Sequence, residues 1–126
     1  MRYLLLLPLL IATPTAAPAQ NAPRTVEVRL SSFDYDPREI RLRAGEPVVL
    51  RLVNSSGGGH NFSAPAFFAA ARIDPGQQAM IREGTIEVRA RQSVSVRLVP
   101  ARGSFRLRCT HTLHSALGMR GRIIVE

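Results

Sequence analysis

The sequence predicts an all-β fold: a Greek-key sandwich of about seven to eight short strands, with a short helix in the middle connection. Three observations predict it. Apolar and polar residues alternate with period two in seven separate segments, as in strands that bury one face. Turn signals rich in Gly, Pro, Ser and Asp separate these segments at the roughly 8–12-residue spacing of a sandwich. The chain has 126 residues, 45% of them apolar and 21% charged. These values suit one globular domain and exclude a disordered tail, a collagen-like repeat or a membrane bundle.

The elements follow in chain order. Residues 1–19 read as a secretory signal: Arg2, an apolar stretch from Tyr3 to Ala12, then small residues and prolines. Ala17-Pro18-Ala19 places cleavage before Gln20. The apolar run falls short of the roughly 20 residues of a spanning helix, and Pro8 interrupts it. Residues 20–126 are thus expected to form one exported domain, periplasmic or otherwise secreted, with no stable membrane insertion after cleavage. Thr25–Leu30 alternates as a first strand, and Ser31–Arg38 is a turn region in which Phe33 and Tyr35 read as core plugs. Glu39–Arg43 and Val48–Asn54 are further strands, separated by the Ala44-Gly45-Glu46-Pro47 turn. A glycine-rich loop, Ser55–Gly59, leads into a strand-like segment opened by His60. Ala66–Ala71 forms the short helix after Pro65, ended by the turn Asp74-Pro75-Gly76, and Met80 reads as packing. Thr85–Arg89, Ser93–Val99, Ser104–Cys109 and Gly121–Val125 complete the strands.

Charge and cysteine content narrow the function. All 17 basic residues are Arg, against 9 acidic ones, for a net charge of +8. Removing 19 of the 126 residues leaves 107, with 16 Arg and the same 9 acids, or +7. Arg51, Arg89, Arg97, Arg106 and Arg108 occupy outward positions of alternating strands, so the outer faces should carry positive potential. Such a field favours an acidic partner. Nucleic acid is not expected, because the arginines are scattered and the chain is exported. Cys109 is the only cysteine, so no intramolecular disulfide can form. A lone thiol in an oxidising compartment is intermolecular, reactive, liganded or simply buried, and its neighbours decide between these.

Those neighbours are metal ligands by type. Cys109, His114 and Met119 lie at C-x4-H-x4-M spacing on one tight loop between the last two strands. A thiolate and two imidazoles in a trigonal plane, with a weak axial thioether, make a blue-copper site. The second imidazole must come from elsewhere in the chain. His60 lies 49 residues before Cys109, where a sandwich can bring two connection ends together.

With these residues the chain resembles the cupredoxins, the type 1 (blue) copper family, in its azurin-like and plastocyanin-like single-domain members. Cys109-Thr110, His114-Ser115-Ala116-Leu117 resembles an azurin-like ligand loop with Gly118 inserted before Met119. His114-x4-Met119 followed by Arg120-Gly121-Arg122-Ile123-Ile124-Val125 resembles the plastocyanin-like ending, and the same spacing occurs at the type 1 site of multicopper oxidases. Gly59-His60-Asn61-Phe62 resembles the segment that supplies the first histidine. The resemblance implies His60, Cys109 and His114 as equatorial ligands of one copper ion and Met119 as the axial ligand. It implies that Asn61 braces the ligand loops by hydrogen bonding, and that the Gly59 carbonyl lies near the metal. His111 departs from the pattern. It is expected to be a partly exposed loop residue rather than a ligand, because His114 keeps the spacing to Met119.

The function so implied is that of an exported single-electron carrier cycling Cu(II)/Cu(I), not an enzyme. Its partner would be a redox protein or a copper-handling protein, acidic if the charge is functional. Sequestration, tolerance or delivery of Cu(I) is the alternative that the same ligands permit. A Cys–His nucleophile would need an imidazole acting as base, and the methionine at ligand spacing argues against it. A multicopper oxidase needs several such domains and a histidine-rich cluster, whereas this chain has three histidines. Zinc would accept Cys and His, but thiolate with thioether favours copper.

Overall fold

The computed structural model describes residues 11–16, 22–112, 114 and 116–126. The leader expected over residues 1–19 and the cleavage point before Gln20 lie, apart from 11–16, outside the described residues. Among the described residues no helix is long and apolar enough to cross a membrane.

Ten strands form: β1 (Arg24–Ser31), β2 (Asp34–Asp36), β3 (Glu39–Leu42), β4 (Val48–Asn54), β5 (His60–Ser63), β6 (Arg72–Ile73), β7 (Thr85–Val88), β8 (Ser93–Val99), β9 (Gly103–Arg108) and β10 (Arg120–Val125). A helix, α1 (Pro65–Ala70), and a 3-10 segment (Pro75–Met80) lie in the middle connection. The sandwich is the predicted one, with β4 and β8 at the bounds read from alternation. Three short strands raise the count above seven or eight. β2 and β6 have only three and two residues, too few to show a period. β5 is buried at all four positions, so it has no alternation to read.

The strands make two five-stranded sheets, ordered β2-β1-β4-β8-β6 and β3-β10-β9-β5-β7. From β2 to β9 each successive strand lies in the opposite sheet, and within the sheets β1–β4 and β3–β10 pair in parallel. Such crossings are the Greek-key connections of a sandwich. Inward residues of both sheets meet in one core, including Val28, Leu30, Leu50, Leu52, Val96 and Leu98 from the first and Ile40, Ile86, Val88, Leu107 and Ile123 from the second. Burying each such side chain contributes about 1.5–3 kcal/mol. The alternate positions carry the charge: Arg51, Arg89, Arg97, Arg106 and Arg108 are all exposed.

The middle connection closes one end of the core. Pro65 occupies the first turn of α1, where its missing N–H leaves no bond unmade. Phe67 and Phe68 are buried, with Phe67 edge-on to Phe105 at 5.6 Å between ring centres. Met80 packs against the core, as its isolation in sequence predicts.

Candidate metal centre

Sheet pairing brings the distant histidine to the cysteine. In β5, His60 pairs with Val88 of β7, while Ser63 pairs with Arg108 at the end of β9. β5 is thereby held beside the strand that delivers Cys109. Asn54, buried at the end of β4, organises the approach to His60. Its Nδ2 donates to the carbonyls of Gly58 (2.8 Å) and Val88 (2.9 Å), and its Oδ1 accepts from the Ser56 backbone N–H (3.0 Å). The loop after Cys109 closes on itself. The Cys109 N–H donates to the Met119 carbonyl (3.1 Å) and the Met119 N–H to the His114 carbonyl (2.9 Å). The first of these bonds continues the β9–β10 ladder past Arg108 and Arg120, so Cys109 and Met119 enter the fold from adjoining chain segments. Gly118 makes the closure possible: its φ of +103° is a conformation other residues rarely adopt.

Three donor atoms converge at this end of the sandwich. His60 Nδ1 lies 3.2 Å from His114 Nδ1, which lies 3.4 Å from Cys109 Sγ. Ligand atoms of all three residues fall within 4.8 Å of one another. Donors bound at about 2 Å to one ion in a trigonal plane stand about 3.5 Å apart, so the spacing fits a single ion. Donor chemistry fits copper: two imidazoles and a thiol, with Met119 hydrogen-bonded to the Cys109 backbone. Cys109 and Met119 are fully buried, His60 is nearly so, and His114 is half-buried. Burial lowers the His60 pKa, and the neighbouring His114 and His111 lower it further. The neutral form so favoured is the one with a lone pair to offer a metal.

Around these donors the structure places the remaining predicted residues. Asn61 bridges two segments: its Nδ2 donates to Thr110 Oγ1 (2.7 Å) and Glu87 Oε1 (2.8 Å), and its Oδ1 accepts from the Thr110 N–H (2.9 Å). His111 is partly exposed, as expected, and its Nε2 bonds Glu87 Oε2 at 2.9 Å. It stacks on His114 with ring centres 5.4 Å apart and stands outside the three converging donors. Gly59 lies against it, since a β-carbon there would meet His111 Cε1 at 3.4 Å.

Two aromatic residues separate in role. Tyr35 is the buried plug that the sequence predicts, and its hydroxyl donates to the Asn61 carbonyl at 2.6 Å. Burial, and then the nearby Cys109, push its pKa far above that of an ordinary phenol. Phe33 is not a core plug. It is exposed, has a φ of +63°, and sits edge-on to His114 at 5.1 Å. Asn54 and Glu87 were not legible as parts of the site. Glu87 sits at an outward position of an alternating strand and looks like any solvated charge.

Solved structures with this fold include copper proteins. Auracyanin B matches with a TM-score of 0.61 at 24% identity, over 86% of this chain and 93% of that one. Auracyanin A, a "blue" copper protein from the green thermophilic photosynthetic bacterium Chloroflexus aurantiacus, matches with a TM-score of 0.58 at 22% identity, over 83% and 100%. A multicopper oxidase from Campylobacter jejuni matches with a TM-score of 0.63 at 14% identity, over 89% of this chain but 32% of that one. At these identities the likeness is one of fold. Comparison with curated proteins gives no match. The sequence itself matches the family of cupredoxin-like domains over residues 2–125. A match of that extent, on a fold and donor set of the same kind, means that this chain belongs to the cupredoxin-like domain family.

Proposed function

We propose that the protein is an exported electron carrier that holds one copper ion through His60, Cys109 and His114, with Met119 as the axial ligand. The observation that carries this reading is the convergence of one thiol and two imidazoles within 4.8 Å at one end of a rigid sandwich. Copper held there supplies a one-electron Cu(II)/Cu(I) couple. The chain's own residues do the rest. Burial of Cys109, His60 and Met119 excludes water from three of the four donors. The Asn61 bridge, the Asn54-braced loop and the closed Cys109–Met119 segment hold the donors in place, so a change of charge requires little rearrangement. Half-buried His114, with Phe33 against its ring, is the donor nearest solvent.

The test is optical. Copper-loaded protein is expected to show intense visible thiolate-to-metal absorption with one ion per chain. Cys109→Ser and His114→Ala should each abolish the band in a folded protein, whereas His111→Ala should leave it nearly unchanged. A colourless protein, or a band that survives Cys109→Ser, overturns the assignment. Copper that leaves on each reduction would instead identify a delivery protein.

A further inference from the structure

We propose that the outer face of the β7–β5–β9 sheet region, behind the metal centre, is the docking site for an acidic segment of the redox partner; this rests on the electron-carrier function proposed above. Cross-strand register builds the site. Arg108 pairs with Ser63, Ser63 with Thr85, and Thr85 with Arg82. At about 4.8 Å per step this row sets Arg108 and Arg82 about 14 Å apart. Along β7, Thr85 and Glu87 share one face by period two, and Arg89 just beyond β7 and Thr110 just beyond β9 line the same cleft. The resulting cleft, about 870 Å³, is lined by Arg82, Arg89 and Arg108 together with Pro65, Met80 and Thr110.

Its charge is unbalanced. Arg29, Arg38, Arg41, Arg43, Arg51 and Arg97 all have carboxylate partners on other faces. Among the described residues none of the three cleft arginines forms an ion pair, and all three are exposed. Glu83 and Glu87 also line the cleft, but both oxygens of Glu87 are taken by Asn61 and His111. Two carboxylates, of which Glu87 is also engaged by Asn61 and His111, therefore stand against three guanidiniums, an excess of one positive charge. With the Arg82 and Arg108 backbones about 14 Å apart, the three guanidiniums can engage carboxylates spaced along a chain, and Pro65 and Met80 offer apolar contact in the same cleft. The position is also apt for electron exchange. Thr110 follows Cys109 directly and is hydrogen-bonded to Asn61, the neighbour of His60. A segment seated against Thr110 lies one residue from Cys109, and the Thr110–Asn61 hydrogen bonds lead on to His60.

Octaglutamate is the probe, titrated at low salt into the isotope-labelled full chain without added metal and followed by backbone amide shifts. Shifts are expected at Arg82, Thr85–Arg89, Arg108 and Thr110. Reversing Arg82, Arg89 and Arg108 to Glu should weaken binding roughly tenfold relative to reversing Arg24, Arg72 and Arg102, which changes net charge equally. Arg89→Gln alone should weaken it measurably, which covers the case of a triple variant that does not fold. Equal weakening by both triple variants would show a whole-molecule field and overturn the site. Displacement of the peptide by millimolar inorganic phosphate would make it a small-anion site and overturn it as well. Because no metal is added, failure here is distinct from failure of the copper assignment, which the optical band reports.

Discussion

Glu87 shows how much of the centre depends on single contacts. Its two carboxylate oxygens tie β7 to Asn61 of β5 and to His111 of the ligand loop. Burial alone would raise its pKa, but the hydrogen bonds from Asn61 and His111, with the charge of His111, bring it below the usual glutamate value. A carboxyl depressed on folding stabilises above its unfolded pKa, near 4.3, and loses that contribution as pH falls through the folded value. Metal-free protein should therefore lose stability more steeply on acidification below about pH 4.3 than Glu87→Gln does. Urea denaturation across that range checks this, and parallel acid limbs would contradict it. At the same scale, Phe33 and Tyr35 look alike in sequence, two aromatics in one turn region. They part in the fold: Tyr35 is buried, whereas Phe33, at a φ of +63°, is exposed beside His114.

Among the elements, legibility followed exposure. Strands with one wet face, such as β4 and β8, show their period in the chain. β5 does not, because the core covers one side and the Asn61–Glu87–Thr110 contacts the other. Its start at His60 was legible only through the motif. The junction of β7 with α1 depends on a single residue. Gly84 has a φ of +72°, and a β-carbon there would lie 2.3 Å from Pro65 Cα, while its carbonyl accepts the Ala64 N–H at 2.9 Å. Backbone on both sides leaves no flexible atom to give way. Gly84→Ala is expected to cost about 2–4 kcal/mol, combining a strained conformation with the clash. The urea midpoint measures it, and a loss below about 0.5 kcal/mol, the range of neutral surface changes, would contradict the packing.

For the molecule as a whole, the proposed ion is also a structural cross-link. It would join β5 to the loop between β9 and β10, segments separated by some 49 residues of chain. A ligand bound only by the folded state adds about 2.7 kcal/mol at a free concentration of 100 Kd. For a domain of this size that raises Tm by roughly 10 °C or more. Copper should produce such a rise in calorimetry, and a chelator should reverse it. Cys109→Ser should show a much smaller rise. Equal rises in both proteins would place the metal elsewhere.

By itself the sequence determined the sandwich, because period-two alternation records which side of each strand meets the core. It also determined the donor types and the spacing of Cys109, His114 and Met119, since one short loop carries all three. Only the tertiary structure decided that His60 meets Cys109 and His114, through the pairing of β5 with β7 and β9. It likewise decided that Asn54, Glu87 and Phe33 serve the centre, and that three arginines from separate segments line one cleft. The physical reason is the same in each case. Alternation and loop spacing are local properties, written within a few residues, whereas these contacts arise from the register of strands far apart in the chain.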